Sequence, residues 1–284
     1  MGIPFGREAR RISLLVMSDI NFRVYLVLIF HHAIIRAPGP NFAEGLTSVH
    51  LGVPRFDLVL QQHESYCQAL RECGLTLTVL DADLNHPDST FVEDTAVLTE
   101  RSAILMRPGA LSRAGEVAAI RGTIQSFFPT TQEIVAPGAV DGGDICEADS
   151  HFFLGLSQRS DEEGLKQLAV HLANQGYTSS VVDVRGIAGI LHLKSGVSYI
   201  GDHTLVVIED MADHELFRNY NRIRVPVEES YAANCVRVNQ RILVPAGYPY
   251  LTAQLAARGF HPLTLDMSEF QKMDGGLSCL SLRF

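Results

Sequence analysis

Polar and apolar positions fall in blocks along this chain, and the blocks recur. From residue 30 onward a polar cluster leads into an apolar stretch, a short polar turn, a second apolar stretch, and then usually a helix-like segment. Phe91-Val92-Glu93-Asp94 precedes 95–106, Asp141-Gly142-Gly143-Asp144 precedes 145–156, and Leu191-His192-Leu193-Lys194 precedes 195–208. Ala232-Ala233-Asn234-Cys235 precedes 236–244, and Gly275-Gly276-Leu277-Ser278-Cys279 precedes 280–284. Counted from Asp94, Asp144, His192, Cys235 and Cys279, the blocks are 43 to 50 residues apart. A near-constant period in that range signals a repeat architecture. Each pair of apolar stretches predicts a hairpin.

Helices are predicted between the hairpins. Ser160-Asp161-Glu162-Glu163 reads as a capping box opening a segment with Leu165, Leu168, Val170 and Leu172, closed at Gly176. Residues 113–128, 250–259 and 57–73 read in the same way, and no low-complexity linker divides them. The economical reading is an α/β chain of about five strand-strand-helix-strand units, a single domain over 30–284. If every unit starts its hairpin at a common axis, the polar clusters converge there. The run 24–30 predicts a buried strand, and residues 1–29 read as an N-terminal extension.

Composition narrows the function. With 23 basic and 32 acidic residues in 284, the net charge is −9, and 46% of residues are apolar. That excludes a disordered chain and disfavours nucleic-acid binding, which rests on clustered Lys and Arg. An acidic balance suits a small, cationic ligand. The five cysteines are odd in number and form no C-x-x-C pair, so neither a disulfide scaffold nor a zinc site is expected, and a reducing, cytoplasmic setting fits. No apolar run approaches the ~18 residues of a membrane span.

The polar clusters carry the candidate chemistry. Glu93 and Asp94 follow two apolar residues, a costly placement if buried and unpaired; a guanidinium would satisfy them through charge-assisted bonds. In an extended chain the two carboxylates would point to opposite sides, with Asp94 the more directly aimed at substrate. Taken alone, Cys279 reads equally well as a buried strand cysteine, and any one of eleven histidines reads first as structural.

Together these segments resemble the dimethylarginine dimethylaminohydrolase family, within the guanidine-modifying superfamily that shares a five-bladed α/β propeller. Beside the clusters above, the landmarks are Leu46-Thr47-Ser48, Pro87-Asp88, Arg107-Pro108-Gly109-Ala110, Gly155-Leu156-Ser157 with Arg159, and Met273-Asp274. The resemblance runs from about residue 30 to the C-terminus, and residues 1–29 have no counterpart in it. It implies a propeller with a central substrate pore and hydrolysis of Nω-methylated arginines to citrulline and a methylamine, without cofactor or metal.

The resemblance also implies roles. Cys279 becomes the nucleophile, His192 the general acid and then base, and Asp141 the partner that orients the ring. Glu93 and Asp94 receive the guanidinium, Asp88 and the Met273 carbonyl the α-ammonium, and Arg107 and Arg159 the α-carboxylate; Leu46 belongs to a lid loop. A methylated arginine is then the small-molecule partner, and a homodimer is compatible with the sequence. Two rival readings predict different residues. An arginine deiminase would carry a second acid two residues after the histidine, where Lys194 stands, and a non-catalytic propeller binding protein would lack Cys279 and His192.

Overall fold

The computed structural model describes residues 29–284. The strand expected at 24–30 lies outside the described residues except for its last two, which are irregular. Fifteen strands among the described residues form five separate three-stranded sheets, each mixed. The first sheet to be completed holds β3 (Ala96–Leu98), β4 (Ala103–Leu105) and β5 (Thr131–Glu133). The next three hold β6 (Ile145–Ala148), β7 (His151–Leu156) and β8 (Thr178–Asp183); β9 (Val197–Tyr199), β10 (Thr204–Ile208) and β11 (Asn221–Val225); and β12 (Val236–Val238), β13 (Arg241–Pro245) and β14 (His261–Leu265). The fifth joins β15 (Leu282–Arg283) to β1 (His32–Arg36) and β2 (Thr76–Leu80), with Ala33 opposite Arg283 and Ile34 opposite Leu282.

All five sheets follow one rule. The first strand pairs antiparallel with the second, across a short turn in four sheets and between Leu282–Arg283 and His32–Arg36 in the fifth, and the second pairs parallel with the third. A parallel step needs a long crossover. Four crossovers are helical: α1 (Phe56–Glu72), α2 (Glu116–Phe127), α3 (Glu162–Asn174) and α5 (Pro249–Ala257). The third sheet departs from the expected pattern. Its crossover makes only two 3₁₀ turns, Glu209–Met211 and Glu215–Phe217, because acidic residues interrupt any apolar stripe there and only Met211, Ala212 and Phe217 supply buried anchors. The two remaining helices are single turns, α4 (Leu193–Gly196) and α6 (Ser268–Gln271).

Helix α3 shows how the periodicity becomes packing. Leu165, Leu168 and Leu172 are buried against Val97 and Ile104 of one sheet and Phe152 and Leu154 of the next. Each such leucine contributes about 1.5–3 kcal/mol. The cap is Asp161, which accepts the Gly164 amide at 2.7 Å, and not Ser160. Ser160 is committed elsewhere: its hydroxyl donates to Asp144 at 2.6 Å and accepts the Asp141 amide at 3.0 Å. The helix gives way at Gly176, whose φ of +84° suits a residue without Cβ.

Hydrophobic clusters of this kind sit between neighbouring sheets. The first strands of the sheets abut, β15 on β3, β6 on β9 and β9 on β12. First strands of all five sheets line one cavity of about 190 Å³. Among the described residues, no helix is long and apolar enough to cross a membrane.

Candidate active site

Every predicted polar cluster lies just before the first strand of a sheet, so the packing of those strands gathers the clusters at one end. The turn Val92–Thr95 packs against both Gly142–Asp144 and Ser278–Leu280, and α4, which follows His192, packs against Gly142–Asp144 and against Val227–Ala233. Such close approach needs glycine. A Cβ on Gly142 would stand 2.0 Å from the Glu93 carbonyl oxygen, and one on Gly143 would stand 2.8 Å from His192 Nδ1 and 3.0 Å from Asp94 Oδ1.

His192 Nε2 lies 3.0 Å from Asp141 Oδ2, and Asp141 is fully buried. The other Asp141 oxygen accepts the Gly109 amide at 2.8 Å, which fixes the carboxylate plane. Burial of the imidazole favours its neutral form, but the charges of Asp144, Asp94 and Asp141 outweigh it and lift His192 to about 9. Asp144 contributes through the backbone as well. It accepts Ser157 Oγ at 2.7 Å, Ser160 Oγ at 2.6 Å and the Leu193 amide at 2.9 Å, tying the His192 segment to the turn that carries Arg159.

Glu93 and Asp94 differ from the extended arrangement predicted. They lie on one turn of 3₁₀ helix, Val92–Thr95, and both are buried. The turn arises because Thr95 Oγ1 donates back to the Val92 carbonyl at 2.7 Å and the Asp94 amide to Phe91. Their partners are separate. Glu93 accepts Lys194 Nζ at 2.5 Å and Ser278 Oγ at 2.7 Å, while Asp94 accepts the Gly143 amide at 2.7 Å and the Arg113 guanidinium. Burial would push the Asp94 carboxyl up, yet Arg113 and His192 together hold it down at about 2.

Cys279 is partly buried on the turn Ser278–Leu280, its amide bonded to the Gly276 carbonyl at 3.2 Å. Burial and the neighbouring charges of Glu93 and Asp94 push its thiol up to about 12. Thiol and imidazolium are therefore the resting forms, and an arriving cation would favour the thiolate.

Asp88 is buried and receives the Leu46 amide on both oxygens, at 3.0 and 3.2 Å; burial pushes its carboxyl up. Leu46 is itself 41% exposed. Its loop is further held by Thr47 Oγ1 donating to the Lys272 carbonyl at 2.9 Å and the Ser48 amide to Asp274 at 2.5 Å. Met273, between those two acceptors, is buried. Arg159 lies near enough for its charge to act on Asp88. Arg107 is turned toward the 137–138 loop, where it donates to the Pro137 and Gly138 carbonyls at 3.4 and 3.0 Å.

The sequence reading passed over several participants. Arg113 is buried and bridges Asp94 to Glu116, also donating to the Phe91 carbonyl at 3.0 Å. Its one sequence signal is an Arg–Glu pair three apart among apolar neighbours. Asp144, Lys194, Asn234 and Ser278 stood inside quoted motifs without a role here. Glu93, Lys194 and Ser278 line the cavity of about 190 Å³, whereas Leu191, Ser195, Asn234 and Gly276 line a second cavity of about 810 Å³ bounded also by Ser48 and Asp274. Oxygens of Asp94 and Asp141 and a ring nitrogen of His192 lie within 4.8 Å of one another, a spacing that suits a small cation. Arg113 and the imidazolium already supply the positive charge there.

A family model described as N,N dimethylarginine dimethylhydrolase, eukaryotic, matches residues 56–226. The N(G),N(G)-dimethylarginine dimethylaminohydrolase of Pseudomonas aeruginosa is 43% identical over 256 residues, 90% of this chain and 100% of that protein. The enzyme of the same name from Streptomyces coelicolor is 32% identical, covering 88% of this chain and 96% of its own length. Among solved structures, a cysteine-to-serine variant of the Pseudomonas aeruginosa protein in complex with citrulline superposes with a TM-score of 0.88 at 42% identity, covering 90% of this chain and all of that one.

Proposed function

The chain belongs to the dimethylarginine dimethylaminohydrolase family, and from that footing we propose that it hydrolyses Nω-methylated arginines to citrulline and a methylamine. In this reading the Cys279 thiolate attacks the guanidinium carbon. Protonated His192 gives its proton to the departing dimethylamine or methylamine, since an amide anion is not a viable leaving group. That leaves a thiouronium on sulfur and a neutral imidazole. His192 then takes a proton from water and the hydroxide adds to the same carbon. As the ureido group of citrulline forms, the sulfur leaves with the proton of the added hydroxyl, restoring the resting thiol and imidazolium, while the proton that Cys279 gave to solvent on activation is matched by the one the released amine takes up. Atoms and charge balance with the protein's own groups.

The observation that carries this reading is the convergence on one another of the His192–Asp141 pair, Asp94 and the Cys279 turn. Asp141 holds the ring, and Asp94 accepts guanidinium N–H groups. Glu93 lends negative charge from behind Lys194 and Ser278. Because Lys194 occupies Glu93, fewer acceptors remain for an unmethylated guanidinium, which favours methylated substrates over arginine. Asp88 with the Met273 carbonyl takes the α-ammonium under Leu46, and Arg159 and Arg107 take the α-carboxylate. Of these two cations Arg159 has the better support, since its charge acts beside Asp88.

To the same reading belong a five-bladed propeller around the cavity shared by the five first strands, a single catalytic domain over 30–284, and residues 1–29 as an extension. A homodimer is compatible with it, and five cysteines without a disulfide favour a reducing, cytoplasmic compartment. The test is incubation with asymmetric dimethylarginine, monomethylarginine and arginine in parallel, following citrulline. Turnover of the methylated pair with little of arginine is expected; a folded preparation that makes no citrulline refutes the assignment. Cys279→Ser should bind substrate and turn over none.

A further inference from the structure

Four side chains close a ring of hydrogen bonds beside the nucleophile. Asn234 Nδ2 donates to the Lys194 carbonyl at 3.0 Å; Lys194 Nζ donates to Glu93 Oε1 at 2.5 Å; Ser278 Oγ donates to Glu93 Oε2 at 2.7 Å. The ring closes through Asn234 again, which donates to Ser278 Oγ at 3.0 Å while its own oxygen accepts the Ser278 amide at 3.0 Å. Asn234 and Ser278 are buried, at 6% and 3% exposure. One side of the ring is the residue before Cys279, and the other is two residues after His192.

We propose that Asn234 is a positioning residue that sets the Cys279 turn against the His192 segment, and that it does so by fixing the direction of this ring. A serine hydroxyl has one proton to give. Because the Asn234 amide nitrogen donates to Ser278, that proton goes to Glu93, and both arms of the ring run from Asn234 to Glu93. A carboxylate at 234 would keep the shape but reverse the bond: Ser278 would turn its proton to 234, releasing Glu93, and an oxygen would face the Lys194 carbonyl without a hydrogen between them. The fit is close as well. A Cβ on Gly276 would stand 2.5 Å from the Asn234 carboxamide, so the glycine lets that amide reach the nucleophile turn.

This inference rests on Cys279 acting as the nucleophile. The test measures citrulline formation from asymmetric dimethylarginine, and iodoacetamide alkylation of Cys279 from pH 7 to 10, for wild type, Asn234→Asp, Ser278→Ala and the double variant. Misplacing a nucleophile by about an ångström costs on the order of 100-fold. Each single variant should therefore lose roughly 10- to 100-fold in kcat with KM within about threefold, and the alkylation profile should shift. A ring predicts that the double variant is no slower than the worse single variant. Losses that multiply, or an Asn234→Asp enzyme with wild-type kcat and alkylation profile, overturn the proposal. Should Asn234→Asp not fold, unchanged kcat and alkylation in Ser278→Ala overturn it alone. A wild type that makes no citrulline refutes instead the reaction on which the inference rests.

Discussion

Asp94→Asn separates the two duties of the buried carboxylate, and the two readouts should move in opposite directions. Asp94 is one of the two acids that raise the Cys279 thiol to about 12. Burial and Glu93 each contribute more to that rise than Asp94 does, so removing the Asp94 charge should lower the thiol by about one unit and raise the thiolate population near pH 8 about 10-fold. A less basic thiolate is also a weaker nucleophile, with a Brønsted slope of about 0.45. The net gain in alkylation is then roughly threefold. Turnover should fall, because Asp94 accepts the guanidinium in the proposed reaction. One lost bond to a charged group is about 1.5–3 kcal/mol, or roughly 10- to 150-fold in kcat/KM. The assay is iodoacetamide labelling without substrate, scored by mass spectrometry on the Cys279 peptide, beside citrulline formation. Cys67, Cys146 and Cys235 serve as internal references, since burial pushes those thiols up as well. Slower labelling together with slower turnover would refute the reasoning, because it would mean that Asp94 promotes the thiolate instead of opposing it.

Other consequences can be measured. His192 is raised from about 6.5 to about 9, so its contribution to stability is complete below about 6.5 and is lost as pH rises through 9. That is at most about 3 kcal/mol, and urea titrations should show a decline from pH 6.5 to 9.5 that is shallower in His192→Gln. Lys194→Met strips a buried carboxylate of its cation. Such losses are about 3–5 kcal/mol, and because Ser278 and, at 3.8 Å, Arg283 remain beside Glu93, the lower figure is expected. It should appear as a fall in Tm of roughly 6–9 °C, and an unchanged Tm would contradict the pairing. Gly143→Ala should cost about 100-fold in kcat, since its Cβ enters the space between His192 Nδ1 and Asp94 Oδ1; a near-normal rate would show that the two can move apart.

How much was readable beforehand depends on the range of the interaction. The 43-to-50-residue recurrence, the hairpins and the four crossover helices follow from local alternation and periodicity, which a chain carries without its fold. The clusters that hold Asp94, Asp141, His192 and Cys279 were legible as polar blocks recurring before successive strands, whereas the roles expected of those four residues came from the family resemblance. The extended reading of Glu93 and Asp94 failed where a threonine hydroxyl three residues on tightened the backbone into a turn. The capping box failed at Ser160 because distant Asp144 claimed the hydroxyl, leaving the cap to Asp161.

The covalent order therefore determined which residues could do chemistry and which stretches would be strands and helices. Only the tertiary structure decided the pairings. Lys194 meets Glu93 across 101 residues and Ser278 meets Glu93 across 185. Arg113, outwardly an ordinary helix-start cation, became a buried partner of Asp94. These bonds form because strands packed side by side bring their preceding turns into one buried space. There a charge must find its counterpart wherever in the chain it lies.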